Sequence, residues 1–136
     1  MRRNALLIHG AMALALVAVP LSGHHSFAGT YLEDAPPQEI KGTLKAFQIR
    51  NPHSFVQVDD ESLKDKEGNP VRWIIEWGAA GQLAQQGVNV GSLKIGDKVV
   101  ATGSPGRNAE DHRLRLRTIT RPSDGWKWPV GNQTFN

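Results

Sequence analysis

The chain has 136 residues, with 16 Lys and Arg against 13 Asp and Glu, a formal net charge of +3 and no cysteine. That length holds one domain, and the missing cysteines exclude disulfides, a thiolate nucleophile, a thiolate metal site and a lipid-modified cysteine anchor. The basic balance says little about a nucleic-acid or membrane partner, because Arg2 and Arg3 fall in an export signal and setting them aside leaves fourteen cations against thirteen anions, +1.

Arg2-Arg3, the apolar run from Ala5 to Val19, the breaker Pro20 and the small residues Ser22 and Gly23 follow the three regions of a secretory signal. The run is shorter than the ~20 apolar residues a membrane span needs. Cleavage is expected between Gly23 and His24, giving a periplasmic or secreted protein of 113 residues with a free amine on His24. Residues 24–37 read as an extended N-terminal segment. Glu33 and Asp34 make it polar, and Pro36 and Pro37 remove two amide donors, so regular structure should begin after Pro37.

The first strand is predicted from Glu39 to Arg50, with Ile40, Leu44 and Ala46 facing in, and Gly42 allowing the bend that a closing barrel needs. Asn51-Pro52 ends it, and a second strand follows from His53 to about Val58. Val56 and Val58 share one face, with His53, Phe55 and Gln57 on the other. The charged stretch to Gly68-Asn69-Pro70 is a hairpin connection. The strongest strand runs from Val71 to Trp77. Val71, Trp73, Ile75 and Trp77 form its core face, with Arg72, Ile74 and Glu76 opposite.

Ala79 to Gln86 reads as a two-turn helix ending at Gly87, with Leu83 as its apolar anchor and no Ser, Thr, Asp or Asn cap before it. A fourth strand is expected from Lys98 to Thr102, broken by Gly103-Ser104-Pro105-Gly106, and a fifth from Arg113 to Thr120. The order predicts an all-β domain with one short helix, a five-stranded barrel of the oligonucleotide/oligosaccharide-binding type (β-β-β-α-β-β). Its span is 38–121, leaving 122–136 as a C-terminal tail. A β-sandwich is disfavoured because five strands are fewer than the roughly seven of an immunoglobulin-like fold. The tail holds Trp126 and Trp128, which should fold back over the barrel, since two exposed Trp side chains would be costly.

Four histidines follow the signal: His24, His25, His53 and His112. The amine and ring of a terminal His24, joined by His25 or His53, form a nitrogen-rich set that favours Cu(II). It is similar to the histidine brace of copper proteins, though only the terminal His is shared. Asn51-Pro52-His53 also reads simply as a corner between two strands. Arg113, Arg115 and Arg117 alternate with Leu114 and Leu116, giving a basic stripe that either grips an anionic ligand or is a solvated face tempered by Glu110 and Asp111. No catalytic set is visible, and Glu76 reads as an ion-pair partner of Arg72.

The His24-His25-Ser26-Phe27 start, Asn51-Pro52-His53 and Trp73-Ile74-Ile75-Glu76-Trp77 together resemble a family of small exported bacterial proteins with no assigned function, over roughly His24 to Thr120. The resemblance implies no activity. The expectation is a non-enzymatic periplasmic binding module with Cu(II) held by His24, His25 and His53. The alternatives are an oligonucleotide, glycan or other anionic-ligand binder using the arginine stripe, with nucleic acid disfavoured by the near-neutral charge, and an accessory subunit of a periplasmic enzyme.

Overall fold

A computed structural model describes residues 27–131. The expected signal, and with it His24 and His25, lies outside the described residues. The first element is a single helical turn, α1 (Phe27–Thr30), where the sequence suggested extended chain. Tyr31, only 1% exposed, then bridges to Gly106 and pins this segment to the barrel.

Five strands follow with a helix between the third and fourth: β1 (Gln38–Gln48), β2 (Phe55–Lys64), β3 (Pro70–Glu76), α2 (Ala80–Gln85), β4 (Lys98–Pro105) and β5 (Arg113–Arg121). The sheet order is β3-β2-β1-β4-β5, and a parallel pairing of β3 with β5 closes it into the expected barrel. The amide of Ile74 donates to the carbonyl of His112 at 2.9 Å at this seam. Closure leaves no free edge between the first and last barrel strands, which removes a site for unwanted strand pairing.

The inward faces are those that alternation marks on β2, β3 and β5. Val56, Val58, Ile75 and Leu114 are fully buried, while Trp73, Trp77 and Leu116 are nearly so. Each such side chain contributes about 1.5–3 kcal/mol by leaving water. On β1 the alternation fails after Leu44. A register irregularity against β2 lies between Leu44 and Ala46, so Ala46 is only half-buried and Phe47 packs on the core. An extra residue in one strand of a pair shifts every later side chain to the other face.

One end of the barrel is closed by Leu83 of α2 with Val88 and Leu93 from the following loop, all buried. The helix lacks a cap of its own, and the cap comes from elsewhere: Asn51 Oδ1 accepts from the amide of Ala80 at 3.1 Å. The Asn51-Pro52-His53 corner, whose Asn51–Pro52 peptide is cis, therefore ties β1, β2 and α2 together. The tail folds back as a sixth strand, β6 (Trp126–Trp128), antiparallel to β5. Trp128 is 7% exposed, and its indole meets Trp77 edge-on with ring centroids 4.9 Å apart. Two strands are longer than their sequence signals: β2 continues past Val58 to Lys64, and β4 runs on through Gly103-Ser104-Pro105.

Candidate functional site

A cleft of about 730 Å³ opens where β3, β5, α2 and the two ends of the described chain meet. Its apolar wall is Trp77, Leu83, Leu116 and Trp128, and its polar rim is Glu33, His53, Glu76, Arg115 and Arg117. The chain from α1 forms part of the mouth. The Phe27 ring stacks on His53 at 4.9 Å between centroids, and the Arg115 guanidinium covers Phe27 at 3.8 Å.

Glu76 organises the histidine. One carboxylate oxygen receives His53 Nδ1 and the other receives the Tyr31 hydroxyl. This corrects the expected Arg72–Glu76 pair: Arg72 reaches across to Asp59 through a bidentate contact at 2.7 and 3.1 Å. Residues four apart along a strand are separated by ~13 Å, whereas a cross-strand partner stands directly opposite. With Nδ1 committed to Glu76, Nε2 is the remaining ring nitrogen, and among the described residues nothing hydrogen-bonds it. A carboxylate behind an imidazole fixes the orientation of its ring. No group of three or more His, Asp or Glu among the described residues could hold a metal ion.

Tyr31 feels the same carboxylate. Burial, then the hydrogen bond to Glu76 and its negative charge, push the phenol well above its ordinary value. The folded state thus keeps a proton that the unfolded chain releases near pH 10. This contribution to stability is intact below about pH 10 and is lost as pH rises beyond it. Because Tyr31 is the only tyrosine, phenolate absorbance reports it alone. The native protein should form phenolate at higher pH than the urea-unfolded chain. Tyr31→Phe should lower stability at pH 7 by about 1–2 kcal/mol while flattening the alkaline fall in urea unfolding.

The arginine stripe alternates as expected but is divided. Arg115 and Arg117 line this cleft, while Arg113 lines a smaller cavity of about 380 Å³ beside Trp73 and His112. Arg115 Nη1 pairs with Glu33 Oε2 at 2.8 Å. Arg117 donates from Nε to Ser104 Oγ at 3.1 Å and from Nη2 to the Glu33 carbonyl. Sequence reasoning missed Tyr31 and Glu33 as neighbours of the site. Nothing in the sequence marks them, since the lead-in that carries both reaches β3 and β5 only after folding. Two buried side-chain atoms have no protein partner among the described residues, Glu33 Oε1 and Trp77 Nε1, and both residues line the cleft.

Among the described residues no helix is long and apolar enough to cross a membrane. A family model, "Family of unknown function (DUF6152)", matches residues 12–115, and the chain belongs to that family. No curated protein and no solved structure matches the chain.

Proposed function

We propose that this family member is an exported, non-enzymatic binding protein that holds Cu(II) with the His24 amine and imidazole, joined by His25 and by His53 Nε2. The supporting observation is the setting of His53: Glu76 fixes its ring through Nδ1, Nε2 has no hydrogen-bond partner among the described residues, and Phe27 is stacked on the same ring beside the cleft. His25 precedes Phe27 by two residues and His24 by three, roughly 7–11 Å of chain at full extension. The anchor at Phe27 therefore leaves both within reach of His53. A set of nitrogen donors without thiolate favours copper at the top of the divalent order.

Copper titration followed by paramagnetic resonance tests this on the processed protein. One Cu(II) per chain with a nitrogen-rich spectrum is expected, with affinity falling as pH drops because amine and imidazoles must lose protons. Glu76→Gln should weaken binding about 10–100-fold through loss of ring orientation, and His53→Ala should weaken it further. One extra residue placed before His24 keeps every side chain but displaces the amine. An unchanged affinity and spectrum in that variant would overturn the terminal site, and a mature chain starting at Ser26 or later would remove it.

A further inference from the structure

We propose that the cleft also takes a small organic acid, one carboxylate on an apolar body, with Arg117 as the residue that holds the carboxylate. The volume of about 730 Å³ lies within the roughly 300–1,000 Å³ of small-ligand sites. Four charged side chains line it: Glu33, Glu76, Arg115 and Arg117. Three of these are already engaged. Arg115 is neutralised by Glu33, and both oxygens of Glu76 are occupied by Tyr31 and His53.

Arg117 differs from them. Its two contacts are to uncharged oxygens, the Ser104 hydroxyl and the Glu33 carbonyl, and among the described residues no carboxylate lies within ion-pair distance of it. Ser104 is fully buried, so the oxygen that orients the guanidinium is itself fixed. Among the described residues two of the five N–H donors of the side chain are used, which leaves three and a charge without a carboxylate partner at an exposed position lining the cleft. A planar guanidinium held in one orientation is suited to forked recognition of a carboxylate.

The rest of the cleft defines the remainder of the ligand. The same cleft is lined by Trp77, Leu83, Leu116 and Trp128, all buried and apolar enough to receive an aromatic or branched hydrocarbon. Trp77, one of these lining residues, has a buried Nε1–H with no protein acceptor among the described residues. A polyanion fits poorly, because its further charges would meet Glu33 and Glu76. This inference uses neither His24 nor His25 and goes beyond the copper site.

Binding of 2-naphthoate, 2-naphthamide and acetate to the full chain, followed by calorimetry and by the indole N–H signals in NMR, tests it. Naphthoate should bind saturably and about tenfold or more tighter than the isosteric neutral amide, the range of a charge-assisted hydrogen bond. It should also bind at least about tenfold tighter than acetate, which lacks the apolar body. Arg117→Gln should remove the preference for naphthoate over the amide, and Arg113→Gln, altered outside the cleft, should leave it intact. Equal binding of amide and acid, equal losses in the two arginine variants, or no saturable binding of naphthoate would each overturn the proposal. If Arg117→Gln does not fold by circular dichroism, the acid-to-amide ratio on the unaltered chain decides. The extra residue before His24, which disables the copper site, should leave naphthoate binding unchanged, so the two readings fail separately.

Discussion

Trp73→Ala should lower the stability of the barrel by about 3–5 kcal/mol, the usual cost of deleting a buried aromatic ring, and Trp73→Phe should separate that cost into its parts. Trp73 is 5% exposed and its Nε1 donates to Asp60 Oδ2 at 3.1 Å. Asp60 is itself buried. Its other oxygen already receives the amides of Ser62 and Leu63 and the Ser62 hydroxyl. Removing the indole therefore opens a cavity and also strips one donor from a buried carboxylate. Phenylalanine keeps a six-membered ring but loses the pyrrole portion that carries the donor, so it should cost about 1–3 kcal/mol. Urea midpoints at unchanged m separate stability from compactness. A loss under about 1 kcal/mol for the alanine variant would mean that the face carrying Trp73, Ile75 and Trp77 is not core.

That face is legible because a strand buried on one side alternates with period two, and Val71, Trp73, Ile75 and Trp77 do so, with Ile74 the one apolar residue opposite. The order of strands and helix likewise pointed to a closed barrel. What failed depended on register. The irregularity after Leu44 has no compositional mark, so Ala46 was expected where Phe47 packs. Arg72 and Glu76 share a face of β3, but their partners come from β2, α1's outgoing chain and the corner before β2. Tyr31 and Glu76 are 45 residues apart in sequence. The bridge between Tyr31 and Gly106, with the contacts of Glu33 to Arg115 and Arg117, brings the lead-in to the cleft. The missing cap of α2 was readable, but its replacement by Asn51 was not, because the donor and acceptor lie on separate elements. The burial of Trp128 followed from the cost of exposing indoles, while its strand pairing with β5 depends on backbone geometry that the cost argument does not address.

Gly103→Ala should be among the most damaging single-methyl changes in the protein, and it should disturb the cleft as well as the fold. Gly103 lies on β4 between β1 and β5, paired with Gln38 on one side and Leu116 on the other. A Cβ built there would stand on the carbonyl oxygen of Arg115, far inside van der Waals contact, and 2.9 Å from Leu114 Cγ. The obstacle is backbone, so no rotamer change relieves it and β5 must move outward. Overpacking of this kind costs about 1–3 kcal/mol and more where backbone is displaced, and about 3 kcal/mol or more is expected here. The same shift moves the strand that carries Arg115 and Arg117 and loosens Ser104, the residue after Gly103, from the Arg117 guanidinium. Gly81→Ala provides the opposite control. It is a helical glycine of α2 with nothing within 4 Å of the added carbon. There the extra methyl should stabilise by about 0.5–1 kcal/mol by raising helix propensity. Urea unfolding of the two variants, with 2-naphthoate titrated into each, should give opposite signs in stability and loss of ligand only for Gly103→Ala. A Gly103→Ala variant as stable as the parent would show that β4 and β5 do not approach as closely as the barrel requires.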